Sequence, residues 1–196
     1  MREGFLLVIS GPSGVGKGTV CNELLKEEKN IRFSISATTR KKREQETDGE
    51  NYYFLDNEKF KDMIENGEFL EYAKVHGNFY GTPKNFVYES IKRGEVVLLE
   101  IDVQGALQVK ENYKDGVFVF LLPPDMNELR NRIEKRATED KDTIELRLNN
   151  AKTELNYIDK YDYAVINDTV SNTVEKIKSI IEAATQIGRA SCRERV

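Results

Sequence analysis

Cysteine and histidine are scarce in this sequence. Its 196 residues contain two cysteines, Cys21 and Cys192, and one histidine, His76. Two cysteines give neither a disulfide framework nor a cysteine-rich metal cluster. A single histidine argues against a histidine-rich metal centre and against a catalytic triad of serine, histidine and aspartate. The candidate chemistry must therefore be sought in other side chains.

The sequence also lacks long apolar runs and an excess of positive charge. No run approaches the roughly 18 apolar residues that a membrane-spanning helix needs, so we expect no membrane partner. The formal net charge is −4, which makes the chain a poor candidate for wrapping a nucleic-acid backbone. A local basic pocket for a small anion stays compatible with that charge. The first residues do not resemble a secretory signal, and we expect a cytoplasmic protein.

Apolar runs of strand length alternate with helical stretches along most of the chain. Continuous apolar runs at 5–9, 96–99 and 117–122, with a weaker one at 163–166, are typical of strands buried on both faces of a parallel sheet. The helical stretches lie at 17–28, 83–93, 125–135, 143–158 and 174–184. Such alternation predicts an α/β fold with a parallel sheet flanked by helices.

Two segments interrupt this alternation. A polar, tyrosine-rich segment holds a short helical stretch and a strand-like run, which predicts an insert of mixed α+β structure with its own small sheet. A strongly charged helical segment predicts a hairpin of two helices, which we interpret as a lid. The predicted division is a core of residues 1–33, 84–124 and 160–187, an insert of 34–83, a lid of 125–159 and a non-native or disordered tail of 188–196. An ordinary frayed terminus is the alternative for the tail.

A glycine-rich loop follows the first predicted strand and opens a helix. It consists of Gly11, Pro12, Ser13, Gly14, Val15, Gly16 and Lys17. Glycines let the backbone N–H groups converge on one anion, and the helix N-terminus adds partial positive charge. Lys17 supplies a mobile full charge for the β- and γ-phosphates of a nucleotide. The alternative is a glycine-rich turn without a ligand, but the strand–loop–helix context favours a phosphate loop.

One position departs from the usual phosphate-loop pattern. The Ser or Thr that normally follows the lysine is Gly18 here, and Thr19 comes next. The hydroxyl that normally contacts Mg²⁺ is therefore missing or displaced by one residue. We expect Mg²⁺ to be held mainly by nucleotide phosphates and water, with Thr19 or Asp102 as the candidate protein contacts. The guanine-reading segment of GTPases is absent from the sequence, which argues against a GTPase switch.

The most specific text in the chain is residues 38–55, which resembles the signature of guanylate kinases. The matching positions are Thr38, Thr39, Arg40, Arg43, Glu46, Gly49, Tyr52 and Phe54. Further landmarks extend the resemblance over nearly the whole chain before the tail. The resemblance implies a P-loop NTPase-type core, ATP and Mg²⁺ as cofactors, and transfer of a phosphoryl group from ATP to GMP.

The resemblance also assigns a site for the GMP phosphate in the insert. It implies that Arg40, Arg43, Tyr52 and Tyr80 hold this phosphate, and it places Glu46 in the same substrate-binding group. The chemistry agrees, since two arginines three residues apart can each donate paired hydrogen bonds to a phosphate, and tyrosine hydroxyls can also donate to it. The alternative is a solvated basic loop, because Lys41 and Lys42 lie between the arginines.

Guanine recognition is assigned to Glu71 and Ser36 by the same resemblance. A carboxylate can accept from both N1–H and N2–H₂ of guanine, and a hydroxyl can donate to O6. Adenine lacks these two donors and would leave the carboxylate unpaired. The alternative for Glu71 is an outward-facing position on a half-exposed strand. Thr82 is a candidate GMP contact, and its place before Pro83 also fits a helix N-cap.

The lid and the sheet edge supply the remaining candidates. The resemblance implies that Arg132, Arg136 and Arg147 close over the transferring phosphoryl group, with ordinary surface ion pairing as the alternative. Glu100 and Asp102 end the second apolar strand, at the edge where ligands bind in such folds, and both are candidate substrate contacts. Asn167 resembles a residue near the ATP adenine, although an Asn-Asp pair after a strand is also ordinary turn chemistry.

These observations predict a guanylate kinase of purine nucleotide metabolism, with GMP and ATP as small-molecule substrates and no nucleic-acid partner. One alternative is an inactive guanylate-kinase-like module for protein interactions, and another is a P-loop kinase for a different phosphate acceptor. Intact Lys17 argues against the first, and the presence of both Ser36 and Glu71 argues against the second. The sequence leaves open the oligomeric state and the use of dGMP.

Overall fold

The computed structural model describes residues 4–75, 77–136 and 141–193. Its strands are β1 (Phe5–Ser10), β2 (Ile31–Phe33), β3 (Ala37–Thr38), β4 (Tyr53–Phe54), β5 (Phe69–Val75), β6 (Asn78–Pro83), β7 (Val96–Glu100), β8 (Val117–Leu122) and β9 (Tyr163–Ile166). Its α-helices are α1 (Lys17–Glu27), α2 (Asn57–Glu65), α3 (Lys84–Lys92), α4 (Val103–Asn112), α5 (Met126–Arg136), α6 (Lys141–Leu155) and α7 (Val170–Arg193). A 3₁₀ turn at Ile158–Lys160 precedes β9.

The core is a five-stranded parallel sheet in the order β2-β7-β1-β8-β9. Its central strands are apolar up to their last residues, Ser10 in β1 and Glu100 in β7, as expected where helices cover both faces of a sheet. On one face, β1 packs with α1 and α7 through Leu7, Ile9, Val20, Leu24, Val174 and Ile177. On the other face, β1 packs with α3 and α4 through Leu6, Val8, Val87, Ala106 and Val109. The predicted α/β fold with a parallel sheet is confirmed.

A second sheet lies in the segment predicted as an insert. It has four strands in the order β4-β3-β6-β5, and β5 pairs antiparallel with β6. Its apolar face packs on α2, where the rings of Phe60 and Phe69 stack with centroids 4.5 Å apart. Strand β5 forms one edge of this sheet and also contacts α4 of the core. The insert is therefore joined to the core along β5.

Helices α5 and α6 form a hairpin beside the core. Leu129 and Ile133 of α5 pack against Leu148 and Ala151 of α6 in a small apolar cluster. A charged hydrogen bond of 2.7 Å between Arg130 and Glu145 ties the outer faces of the two helices together. Residues 137–140 lie between them, outside the described residues. The hairpin agrees with the helical excursion expected from the sequence.

Three elements of the core differ from the sequence-based expectations. Helix α4 was not predicted, and its start is fixed by Asp102, whose Oδ1 accepts a hydrogen bond from the Gly105 N–H. Strand β2 was not predicted because it is short and only its first residue, Ile31, is buried. Helix α7 begins at Val170 rather than 174 and continues to Arg193, so it enters the segment predicted as a tail. Residues 194–196 lie outside the described residues.

Within the described part of the chain, none of the helices combines the length and the apolar character needed to cross a bilayer.

Candidate functional site

The glycine-rich loop links the buried end of β1 to the start of α1. Gly11 has φ of 141°, and a side chain there would meet the Leu121 carbonyl oxygen at 2.5 Å. Gly16 has φ of 101° and is the N-cap residue of α1, where a Cβ would lie 2.7 Å from the amide nitrogen of Asn167. Both positions require glycine. The loop therefore holds a tight path that presents backbone N–H groups at a helix N-terminus.

Lys17 is the first residue of α1, and its side chain folds back over the loop. Its Nζ donates to the carbonyl oxygens of Gly11 at 2.6 Å and Pro12 at 3.2 Å. Burial lowers the pKa of Lys17, and the negative charge of three carboxylates opposes that effect. These carboxylates belong to Glu154, Glu100 and Asp102. The loop thus places one desolvated amine among acidic side chains. Such a site can bind an anion through the amine and the cation that accompanies the anion through the carboxylates.

The position after Lys17 lies directly beside Glu100. A Cβ on Gly18 would meet Oε1 of Glu100 at 3.3 Å, which is a tight contact. A larger side chain at this position would therefore press on the carboxylate. Thr19 is exposed instead and lines a cleft with Gly14 and Asn167. The carboxylate of Glu100, at the end of β7, thus occupies the space beside Gly18.

Asn167 and Arg132 both bind the backbone of the loop. The Asn167 amide donates to the Val15 carbonyl oxygen at 2.8 Å and accepts from the Thr173 hydroxyl at 3.0 Å. Arg132 donates to the same Val15 oxygen at 3.0 Å and to the Asn167 carbonyl oxygen at 3.1 Å. Its Nε also donates to Glu128 at 2.8 Å. These two side chains fix the loop to the end of β9, and their direct roles toward a nucleotide stay predictions.

Helix α6 brings two side chains to Ser13 of the loop. Arg147 donates to the Ser13 hydroxyl at 2.9 Å, and a Glu154 carboxylate oxygen lies 3.4 Å from the Ser13 amide nitrogen as its acceptor. Sequence reasoning missed Glu154. The available signal was its position seven residues after Arg147, which places both on one helical face. The side chain of Arg136 lies outside the described part of the structure.

Several candidate phosphate ligands of the insert lie together around Arg40. Its guanidinium makes a two-pronged contact with Glu46, at 2.7 and 3.0 Å, and lies 5.5 Å from the ring centre of Tyr52. The rings of Tyr52 and Tyr80 are 6.1 Å apart. Hydrogen bonds from Arg40 and from the Arg43 backbone lower the pKa of Glu46 to about 2. The Arg43 side chain is exposed, and the backbone N–H of Arg43 donates to Oε2 of Glu46 at 2.8 Å.

Glu71 lies in β5 and is only 8% exposed. The Thr82 hydroxyl donates to its Oε1 at 2.6 Å. Burial raises the pKa of Glu71, the hydrogen bond from Thr82 opposes this, and the charge of Asp102 adds to it. The alternative of an outward-facing position is therefore wrong. The N-cap alternative for Thr82 is also wrong, because the N-cap residue of α3 is Pro83, without a capping side chain.

The insert and the core meet at the N-terminus of α4. A Cβ on Gly105 would lie 3.4 Å from both Oε2 of Glu71 and Oδ1 of Asp102. Asp102 also acts electrostatically on Lys17, so its carboxylate influences both the buried Glu71 and the lysine of the phosphate loop. Ser36 is half-buried next to β3, and its carbonyl oxygen accepts from the Tyr53 N–H at 2.9 Å. The proposed role of its hydroxyl stays a prediction.

Comparison with known proteins shows similarity along almost the whole chain. A family model described as guanylate kinase matches residues 3–184. The chain is 58% identical over 183 residues to a guanylate kinase of Clostridium tetani, in an alignment that covers 93% of this chain and 88% of the relative. It is 57% identical to a guanylate kinase of Caldanaerobacter subterraneus subsp. tengcongensis, with the same two coverages. A solved guanylate kinase from Anaplasma phagocytophilum superposes with a TM-score of 0.74 at 36% identity, covering 94% of this chain and 88% of that one.

Proposed function

The chain belongs to the guanylate kinase family, and we propose that its phosphate loop, its insert and its helical hairpin divide the work of transferring a phosphoryl group from ATP to GMP. The enzyme is an ATP:GMP phosphotransferase. The observation that supports this division of roles is that Asp102 lies close to Glu71 and also acts electrostatically on Lys17. A base-reading carboxylate and a phosphate loop are therefore proposed to serve one site. Neither a module for protein interactions nor a kinase of another acceptor is favoured by relatives of this identity and coverage.

The phosphate loop is the proposed site for ATP. Its N–H groups and the start of α1 face the β- and γ-phosphates, and Lys17 exchanges its carbonyl contacts for phosphate oxygens. The cleft lined by Gly14, Gly16, Thr19, Arg132, Asn167 and Val170 continues from the loop and fits the rest of the nucleotide. Asn167 and Arg132 support this site by fixing the Val15 backbone.

Mg²⁺ is the proposed cofactor, and the carboxylates around Lys17 fit it. Mg²⁺ prefers oxygen ligands and usually combines one or two carboxylates with substrate phosphates and water. Glu100 and Asp102 offer such oxygens beside Gly18 and Lys17, whereas Thr19 lines the neighbouring cleft. We propose that the two carboxylates, directly or through water, replace the hydroxyl found in other phosphate loops. When bound, the ion neutralises charge on the phosphates.

The cluster around Arg40 is the proposed site for the GMP phosphate. Arg40, Tyr52 and Tyr80 already lie together, and Arg43 can turn inward from its exposed position. The expected place of Glu46 among the substrate contacts stays a prediction, and its observed contacts support a positioning role. As a carboxylate bonded to Arg40 and to the Arg43 backbone, it holds the arginine loop in place and would repel a phosphate.

Glu71 is the proposed reader of guanine. Its carboxylate accepts from N1–H and N2–H₂ in a nearly desolvated position, where an unpaired acceptor is costly. Thr82 occupies Oε1 from the other side and orients the carboxylate. Adenine offers no donor pair at these positions, so the pocket discriminates by leaving Glu71 unsatisfied with AMP. Ser36 is proposed to donate to guanine O6.

Chemistry at this site needs positioning and charge neutralisation rather than a general base. A phosphate oxygen of GMP is already anionic and attacks the γ-phosphorus as the bond to the ADP oxygen breaks. Lys17 contacts the Gly11 carbonyl oxygen and Arg147 contacts the Ser13 hydroxyl of the same loop, and both are proposed to neutralise charge on the transferring group. Arg132 and Arg136 on α5 are proposed to assist them. Closure of the hairpin excludes water and so limits ATP hydrolysis.

A panel of phosphate acceptors tests this function. ADP release is measured with GMP, dGMP, AMP, CMP and UMP at a fixed concentration of ATP. We expect turnover with GMP to exceed turnover with AMP, CMP and UMP, which lack guanine, by about 10⁴-fold. Turnover with AMP but not GMP would overturn the assignment. Cytoplasmic location and the lack of a nucleic-acid partner stay predictions.

A further inference from the structure

Strand β5 contains an irregularity at the position of Glu71. In its ladder with β6, Phe69 is opposite Pro83 and Tyr72 is opposite Gly81. Two residues, Leu70 and Glu71, therefore face the single residue Thr82. This count defines a β-bulge, a feature that re-aims side chains and is common beside active sites.

The backbone on both sides of Glu71 is held by one helix of the core. The Tyr72 N–H donates to Oε1 of Gln108 at 3.2 Å, and Nδ2 of Asn112 donates to the Leu70 carbonyl oxygen at 2.7 Å. Gln108 and Asn112 are four residues apart on α4 and therefore share a face. Together they supply one acceptor and one donor, as a neighbouring strand would do.

These contacts matter because β5 is the edge strand of its sheet. The order β4-β3-β6-β5 leaves its outer backbone groups without a strand partner within the described sheet, and the bulge interrupts the ladder on its inner side. An edge strand with a bulge has few constraints on its register and its side-chain direction. Burial of Leu70 in the core cluster anchors one side chain, but it does not orient the next one.

We propose that Gln108 and Asn112 are positioning residues that fix the bulge and thereby aim the carboxylate of Glu71 at guanine. This inference rests on the proposed role of Glu71. The same helix begins at Asp102, which lies beside Glu71, so α4 aligns the base-reading carboxylate with the phosphate loop. The two side chains contact neither the loop nor the arginine cluster through their described hydrogen bonds, and they act only through β5.

Steady-state kinetics of variants in α4 test this proposal. Gln108→Met/Asn112→Leu removes both hydrogen bonds with little change in volume. Each lost bond weakens a defined geometry modestly, so we expect the KM for GMP to rise about tenfold in the double variant and about threefold in Gln108→Met alone. The KM for ATP should stay within about twofold of the wild type, because the phosphate loop is bound by other residues.

Conservative and matched variants separate positioning from stability. Gln108→Glu keeps an acceptor for the Tyr72 N–H and should restore the KM for GMP to near the wild-type value. Glu111→Leu changes an exposed neighbour on α4 and should leave both KM values unchanged. Thermal unfolding of every variant shows whether it is folded at the assay temperature. If the double variant does not fold, Gln108→Met and Gln108→Glu give the comparison.

Three results would overturn the proposal. An unchanged KM for GMP in the double variant, or equal increases in both KM values, would show that α4 does not aim Glu71. A Gln108→Glu variant as impaired as Gln108→Met would show that the acceptor is irrelevant. Glu71→Gln, measured in the same assay, distinguishes a failure of the proposed role of α4 from a failure of the proposed role of Glu71. If it leaves the KM for GMP unchanged, the proposed function of Glu71 fails, and the role of α4 fails with it.

Discussion

Glu71 is the buried carboxylate to which we assign the specificity for guanine. It is 8% exposed and receives one hydrogen bond from Thr82. Its second oxygen lies at the N-terminus of α4, near Gly105 and Asp102. Burial raises the pKa of Glu71, so the charged form needs donors from the substrate. In the proposed site guanine supplies two, so we expect the free energy of binding to depend on the identity of the base.

Glu71→Gln should impair GMP far more than ATP. The amide offers one acceptor oxygen, and its NH₂ group faces a guanine donor. Loss of a charge-assisted hydrogen bond costs about 1.5–3 kcal/mol, which corresponds to a rise of roughly ten- to a hundredfold in the KM for GMP. The KM for ATP should be nearly unchanged. Glu68→Gln, at an exposed position just before β5, serves as the control in the same assay.

The raised pKa of Glu71 also sets the direction of a pH effect. The folded enzyme binds a proton on Glu71 at higher pH than the unfolded chain, so this site favours folding at low pH and disfavours it above the raised pKa. GMP requires the deprotonated form. The KM for GMP should therefore increase as pH falls through the raised pKa, and Glu71→Gln should lose this dependence. A wild-type KM that is flat over the acidic range would contradict the assignment.

The pKa of Glu46 is shifted in the opposite direction, so we expect the opposite dependence of stability on pH. Its pKa is lowered to about 2 by hydrogen bonds from Arg40 and from the Arg43 backbone. The ion pair therefore stabilises the fold above the ordinary carboxyl pKa of 4.5 and loses this contribution as pH falls toward 2. Glu46→Gln should lower Tm at pH 7, and the difference from the wild type should shrink between pH 5 and pH 3. A difference that is constant with pH would argue against the ion pair.

Helix α4 and the contact of Glu154 of α6 with the phosphate loop were not predicted from the sequence. Strands such as β1 and β8 were predictable because continuous apolar runs mark sheets covered on both faces. Helix α4 follows a strand end that already had candidate chemistry, so its N-cap at Asp102 went unrecognised. The burial of Glu71 depends on a bulge, which breaks the alternation that sequence patterns use. Glu154 faces Ser13 only because α5 and α6 pack as a hairpin.

Substitution of Arg147 tests whether the hairpin of α5 and α6 takes part in the reaction. Its guanidinium donates to the Ser13 hydroxyl at 2.9 Å, which places it within reach of phosphates in the loop. Arg147→Met should lower kcat about 10²-fold, the usual loss when one group that neutralises developing charge is removed. The KM for GMP should change little. Lys152→Met, an exposed position on the same helix, is the matched control, and an equal loss of kcat in the control would refute the role of Arg147.

At the scale of the whole molecule, two charged segments are attached to the core. Arg40 belongs to the insert, Arg147 belongs to the hairpin, and Lys17 belongs to the phosphate loop of the core. The insert is tied to the core along β5 and α4, and the hairpin is tied to the loop through Ser13. Two nucleotides bring several negative charges into the space between these segments. We therefore expect closure when both sites are filled.

Small-angle scattering measures this closure directly. The radius of gyration should decrease when a bisubstrate analogue that links adenosine and guanosine through phosphates is added. ATP alone or GMP alone should produce a smaller decrease, because each ligand attracts only one of the two segments. A radius that is the same with and without the analogue would indicate a rigid molecule.

The proposed reaction requires two separate nucleotide sites that meet near Asp102. Crossed calorimetric titrations of Lys17→Ala and Glu71→Gln with GMP alone and with a non-hydrolysable ATP analogue alone test this claim most directly. We predict that Lys17→Ala weakens the analogue and retains GMP binding, while Glu71→Gln weakens GMP about ten- to a hundredfold and retains the analogue. Equal weakening of both ligands by either substitution, or retention of GMP binding in Glu71→Gln, would contradict it.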